Sequence, residues 1–289
     1  ISGNIGTETL TLSKIGGPVG RFYGYKVIGM YKTADDFYQK NAKGEYLLDA
    51  SGNKVMTPRP ADGDGNMYPI APNSIWVGDY IFEDINGDGK IDNNDRTFIG
   101  DPNPDFTFGL NNTISWKNLD FSFFLNGSVG GDVYNYVRQG HTNPEKYGNM
   151  MKEVAGYAKV ALIDPNGSAT DINNVYVTNP TTATAQRIST AGQNQNDNNR
   201  VSSRFVEDGS YLRLKSISLT YNFPKKWLAP LGIGSLSVYG NIQNLFTITG
   251  YDGYDPEIGA SGQSVILQNI DNYRYPSQRI YTFGLKLQF

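Results

Sequence analysis

Between positions 84 and 95 the chain reads Asp-Ile-Asn-Gly-Asp-Gly-Lys-Ile-Asp-Asn-Asn-Asp. Oxygen-bearing side chains fall at positions 1, 3, 5, 9 and 12 of that run: Asp84, Asn86, Asp88, Asp92 and Asp95. Gly89 stands at position 6, where a sharp turn is needed, and Lys90 at position 7, where a backbone carbonyl serves. This is the spacing of a calcium loop, in which six to eight hard oxygens gather around the ion. Position 12 is Asp rather than Glu, which shortens the reach of the bidentate ligand. An ion here would staple a loop rather than catalyse. The competing use of the same residues is an ion-free turn closed by Asx hydrogen bonds. Asp62-Gly-Asp-Gly-Asn66 is a poorer echo and reads as a plain turn.

No other spacing supports reaction chemistry. The one histidine, His141, lies in a polar stretch without an identifiable nucleophile beside it. There is no cysteine, and no glycine-rich phosphate loop follows a strand. Carboxylates are numerous, but a glycosidase pair meets in space rather than in sequence. The expectation is therefore a protein that binds rather than one that catalyses. Tyr134, Tyr136, Tyr147, Tyr251 and Tyr254 lie in irregular segments and could stack on sugar rings or peptide side chains. Tyrosine in such segments serves packing at least as often. A net charge of −3 with no basic stripe argues against nucleic acid as a partner.

The elements that would carry these residues are strands. The segment 280–289, Ile-Tyr-Thr-Phe-Gly-Leu-Lys-Leu-Gln-Phe, alternates strictly between apolar and polar residues, so one face is greasy and the other wet. Alternation recurs at 106–116, 119–126, 211–223 and 235–247, and more weakly at 5–12 and 21–31. Runs 106–116 and 119–126 flank a two-residue turn, as in a hairpin. About seven strands result. Their connections run short, then long, in turn, with long segments at about 32–105, 131–204 and 248–278. No stretch approaches the roughly 18 apolar residues of a membrane helix. A mean hydropathy of −0.45 is still compatible with a membrane barrel, in which only alternate residues face lipid. A short helix is expected within 144–160.

The order of several motifs carries a resemblance. Arg21-Phe-Tyr-Gly-Tyr25 comes first, then Gly78-Asp79 and the 84–95 run, then Asp95-Arg-Thr-Phe-Ile-Gly100. Pro104-Asp-Phe-Thr-Phe-Gly109, Asn244-Leu-Phe-Thr-Ile-Thr249, Tyr251-Asp-Gly-Tyr-Asp-Pro-Glu257 and Tyr275-Pro276 follow. As a set they resemble the C-terminal part of the SusC/RagA-type TonB-dependent transporters of Bacteroidetes. Thr282, Gly284, Leu287 and the closing Phe289 resemble the C-terminal assembly signal of bacterial outer-membrane barrels.

The resemblance implies an all-β fold: an antiparallel transmembrane β-barrel portion, about seven C-terminal strands of a plugged barrel of about 22, with long extracellular loops. It implies import of glycan oligomers or peptides across the outer membrane of a Gram-negative cell. It further implies a SusD-like surface lipoprotein as lid, energy from TonB, and lipid around the wall. Plug, TonB-contacting segment and most of the barrel lie outside the match, so the chain is expected to be a fragment. The alternative is a secreted all-β carbohydrate-binding module with a structural Ca²⁺ in the 84–95 loop. It differs in one observable: its greasy strand faces would be covered by a second layer of the same chain.

Overall fold

The computed structural model describes residues 1–145, 148–190, 194–259 and 264–289. In the first half the strands are β1 (Ser2–Ile5), β2 (Glu8–Leu12), β3 (Arg21–Gly24), β4 (Val27–Met30), β5 (Tyr80–Phe82) and β6 (Thr97–Gly100). Next come β7 (Phe106–Trp116), β8 (Leu119–Val129), β9 (Asp132–Tyr134), helix α1 (Tyr136–His141), β10 (Val160–Leu162) and β11 (Val175–Val177). The chain closes with β12 (Val206–Asp208), β13 (Tyr211–Asn222), helix α2 (Lys225–Leu228), β14 (Ser235–Thr249) and β15 (Ile280–Gln288). No helix among the described residues is long and apolar enough to cross a membrane, which leaves strands untested.

Two compact units form. The first is Ile1–Gly100 with Asn135–Val206; the second is Asp101–Tyr134 with Glu207–Phe289.

The first unit shows that most of the expected long loops are folded. Its sheet runs β1-β2-β3-β6, with separate ribbons β4–β5 and β10–β11. Tyr31, Phe37, Ile75, Trp76, Val77, Ala158, Val175 and Val177 make a buried core. Tyr31 stacks on Phe37 with ring centroids 4.1 Å apart. Its strands are three to five residues long, too short to show a period. The apolar residues come singly from distant positions, so no window of sequence displays them together. The strand expected over 21–31 is split into β3 and β4, which pair in different sheets. The helix expected within 144–160 shrinks, among described residues, to a 3-10 turn at Lys152–Gly156.

The second unit is a five-stranded antiparallel sheet in the order β15-β14-β13-β8-β7. Five of the roughly seven expected strands lie here. The first two expected strands instead fall in the first unit, as β2 and β3 of its sheet and β4 of a separate ribbon. Residues 117–118 and 223–234 join neighbouring strands briefly, whereas β8 to β13 and β14 to β15 are joined by the long segments. Lys117, with φ 55, makes the tight turn.

The register shows what the alternation does. Ile114, Phe121, Leu219 and Gly240 align on one rung, and Val238 aligns with Tyr221 and Leu285. A break in register between Leu214 and Ser216 keeps Leu214 opposite Leu125 and Phe246, so the apolar face continues across it. That face is open: Trp116 is 63 % exposed, Leu219 51 %, Leu285 66 % and Phe283 80 %. The other face carries Asn126, Arg213, Ser218, Thr220, Asn241 and Thr247, with Phe124, Tyr211 and Tyr239 as its aromatic exceptions. Among the described residues these apolar side chains stand exposed, against the premise of a soluble sandwich.

Candidate functional site

The 84–95 run forms a loop closed on itself. Asp84 accepts from the amides of Gly87 at 2.7 Å and Gly89 at 2.8 Å. Asn86 and Asp88 bond to each other, and Asp88 also takes the amide of Lys90 at 3.2 Å. Asp92 caps the short 3-10 turn Asn93–Asp95 through the Asn94 amide at 2.7 Å and pairs with Lys90 at 3.4 Å. The Asn94 amide in particular holds the Asp92 carboxyl below its usual range. Asp95 is fully buried and accepts from Ile85 and Asp92. Burial pushes its carboxyl up, against those amide bonds. As placed, the six positions fit a turn better than a cation cage. Among the described residues no three acidic or histidine side chains are grouped to hold a metal ion.

Beside this loop, within the first unit, lies a polar pocket of about 440 Å³. Tyr25, Asp62, Tyr68, Asp92, Asn93 and Arg200 contribute to its wall. Arg200 is held by the carbonyls of Asn196 and Asp197 and stacks on Tyr25 and Phe82, with centroid distances of 4.7 and 4.8 Å. Its charge is thereby tethered, and the lining offers amide and hydroxyl donors beside carboxylate acceptors.

Behind it runs a buried network that starts at the Gly78-Asp79 motif. Arg187 donates to both oxygens of Asp79, at 2.8 and 3.1 Å, and to the carbonyls of Pro72 and Ser74. Asn198 and the Trp76 amide complete the set around Asp79. Gly78 has φ +90, and a Cβ there would stand 2.8 Å from Arg187 Cβ, so both backbone conformation and space require glycine.

In the second unit the polar face of β13 holds a charge cluster. Arg213, almost fully buried, donates to Asp255, to Glu257 at 2.8 Å, to Thr247 Oγ1 at 2.8 Å and to Ser277 Oγ at 3.2 Å. Lys215 adds a second bond to Glu257 at 2.6 Å. The Tyr251–Glu257 motif is thus a strap that ties the 250–279 segment to the wall. Burial raises the Asp255 carboxyl, but the bonds from Arg213 and from the Ser277 and Glu257 amides outweigh it, and the net effect is downward. A cavity of about 310 Å³ beside the cluster includes Tyr254 and Arg279 in its lining.

The five candidate tyrosines fare differently. Tyr134 is fully buried and Tyr251 is 5 % exposed, packed with Val133 and Ile258. The Tyr251 hydroxyl donates to Asp271 at 2.7 Å. Burial, then the Asp271 carboxylate, pushes that hydroxyl far above its usual pKa, so it remains a donor. Both rings are occupied by packing. Tyr136 is half-buried at the start of α1, Tyr254 is 76 % exposed, and Tyr147 lies outside the described residues. Of the terminal segment, Thr282, Gly284 and Leu287 lie in β15, while Phe289 follows it and is 87 % exposed.

Sequence reading missed Arg213, Asp255 and Glu257 as a group, although a lone arginine on the polar side of an apolar run was a visible signal. The Asp79–Arg187 pair, separated by 108 positions, left no such trace.

A broad concavity of about 820 Å³ lies on the apolar face of the sheet, among Phe121, Leu219, Val238, Ile242, Phe283 and Leu285. Almost nothing polar orients a solute there.

Comparison with known proteins places this geometry. No profile of a known protein family matches the sequence. The chain is 31 % identical over 278 residues to TonB-dependent receptor P3 of Formosa agariphila, which covers 95 % of the chain and 22 % of that receptor. It is 35 % identical over 216 residues to TonB-dependent receptor P26 of the same organism, covering 74 % of the chain and 20 % of the receptor. Against TonB-dependent receptor SusC of Bacteroides thetaiotaomicron the identity is 28 % over 258 residues, 85 % of the chain and 22 % of SusC. The chain therefore spans about a fifth of the length of these relatives. Among solved structures, the RagAB peptide transporter superposes with a TM-score of 0.55 at 23 % identity, covering 94 % of the chain and 23 % of that protein. At that identity the superposition establishes the fold: an antiparallel barrel portion.

Proposed function

We propose that this chain, as a segment of a TonB-dependent receptor of the SusC/RagA type, forms part of an outer-membrane wall through which oligosaccharides or peptides are imported. One observation carries the reading: a sheet whose strands present one continuous apolar face, open across all five strands, and one polar face. In water such a face would be covered; in a bilayer it meets hydrocarbon while the polar face lines a wet lumen. The sorting of connections supports an orientation with the short turns in the periplasm and the long segments outside. The polar pocket of the first unit suits cargo rich in hydroxyl or amide groups.

The edges of the sheet, β7 and β15, would leave unpaired backbone groups in hydrocarbon at several kcal/mol each. Their partners are further strands of the same barrel. A SusD-like surface lipoprotein at the mouth and TonB below are the partners that the family relation supports. A catalytic role finds no support, since the relatives are receptors. Ca²⁺ in the 84–95 loop is a separate proposal that rests on spacing alone, since Asp84, Asp88 and Asp92 would have to turn from their present partners. Calorimetric titration with CaCl₂ decides it: a saturable heat abolished by Asp88→Ala carries the ion, and no heat leaves the loop a turn.

The main reading is tested by fractionation and uptake. The full-length receptor should sediment with outer membranes and require detergent for extraction. Cells that lose it should lose uptake of a labelled oligosaccharide or peptide cargo. Recovery as a dispersed species in detergent-free buffer would overturn the wall.

A further inference from the structure

β15 poses a register problem that its long connection leaves open until the strap around Arg213 docks Ser277, three residues before the strand. The β7–β8 hairpin is set by a two-residue turn, but β15 is joined to β14 through residues 250–279. A segment of that length leaves the two strands free to slide before they pair. Slips by an odd number of residues are excluded by polarity, because they would turn the apolar set of β15 into the lumen. Slips by two keep both faces correct, so polarity does not exclude them.

Two adjacent rungs of the β14–β15 pair address the remaining error. Tyr239 lies opposite Gly284, and Gly240 lies opposite Phe283. On the polar face the Tyr239 ring lies across Gly284, where a Cβ would stand 2.5 Å from the ring carbon Cζ. On the apolar face the Phe283 ring lies across Gly240, where a Cβ would stand 3.3 Å from Cε1. Each strand supplies one aromatic ring and one glycine, and the two rings cover the two faces. A slip by two would put Thr282 or Lys286 under Tyr239, and Val238 or Ile242 under Phe283. Every one of these carries a Cβ where the ring now sits. Aromatic cover of a strand glycine is a known way of pinning register.

We propose that the reciprocal pairs Tyr239–Gly284 and Phe283–Gly240 select the register of the closing strand against slips by two. Gly284 of the terminal segment is glycine because the Tyr239 ring occupies the place of its side chain. Tyr239 and Phe283 are positioning residues for assembly. The inference depends on the sheet alone and stands apart from what the receptor imports.

The test reads register directly in the full-length receptor in outer membranes. The 289 residues contain no cysteine, so introduced pairs report cleanly once any cysteine elsewhere in the receptor is replaced. Ser237 lies opposite Lys286 in the native register, so Ser237→Cys with Lys286→Cys reports that register. Ser237→Cys with Gln288→Cys reports a slip by two. Gly284→Ala and Tyr239→Leu should each raise the slipped cross-link relative to the native one by about five-fold. Their combination should do no worse than Tyr239→Leu alone, and Tyr239→Phe should behave as the parent. The transposed pair Tyr239→Gly with Gly284→Tyr should restore the native ratio. An unchanged ratio in Tyr239→Leu, additive effects, or failure of the transposed pair to restore the ratio each overturns the proposal. If Gly284→Ala does not accumulate in the membrane, Tyr239→Leu and the transposed pair still decide it.

Discussion

Replacing Leu219 by arginine separates the two faces of the wall most sharply. Leu219 is the ninth of twelve residues in β13, between Phe121 on β8 and Gly240 on β14, and half of its surface is uncovered. If that surface meets hydrocarbon, a guanidinium there costs at most the midplane value of about 2–4 kcal/mol. At roughly 1.4 kcal/mol per decade, this is a loss of up to about 30- to 700-fold in the folding equilibrium. Ser218, one residue earlier, points to the other face and lies opposite Ser122 and Asn241. Arginine there stays in water and should cost no more than about 0.5 kcal/mol. Tyr221 shares the apolar face but lies beside the short turns, so Tyr221→Arg should cost about 0–1 kcal/mol, as expected near the interface. The assay is urea-dependent refolding of the full-length receptor into phosphatidylcholine vesicles, followed by the heat-modifiable shift on gels. The order Leu219→Arg, then Tyr221→Arg, then Ser218→Arg is required. Equal costs at 218 and 219, or a larger cost at 218, would refute the reasoning.

Three further perturbations probe the devices that fix the long segments. Arg187→Ala strips the buried Asp79 of its bidentate partner and should cost about 3–5 kcal/mol, read as hydrogen exchange at least about 100-fold faster across Tyr80–Phe82. Unchanged exchange would show that the pair is peripheral. Tyr251→Phe leaves Asp271 buried without its hydroxyl donor and should cost about 1–3 kcal/mol in the unfolding midpoint, whereas a fall in cargo uptake at unchanged stability would return Tyr251 to the ligand. The folded Asp255 carboxyl titrates below its unfolded value of about 3.9, so its contribution is fully present above that pH and lost as pH falls through the depressed value. Protease sensitivity within 250–279 should therefore rise below about pH 4, and Asp255→Asn should remove that pH-dependent part; a rise on alkalinisation instead would contradict the assignment.

The sequence by itself determined the five wall strands and which of their faces is greasy. Period-2 alternation is a local property, and each of β7, β8, β13, β14 and β15 is long enough to display it. It also determined the order of short and long connections. The tertiary structure decided what the long segments are. The core around Tyr31, Phe37, Trp76 and Val175 draws on four distant stretches, none periodic, so burial there emerges only when the chain has closed on itself. The same holds at the sites. The oxygen pattern of 84–95 was legible, but that Asp95 is buried and turned onto amides was not. Tyr251 and Tyr254 looked alike as letters; one is packed with its hydroxyl on Asp271 and the other stands in solvent. Arg213 finds Asp255 and Glu257 more than forty positions away because strand and strap meet in space, and such a meeting leaves no mark on local spacing.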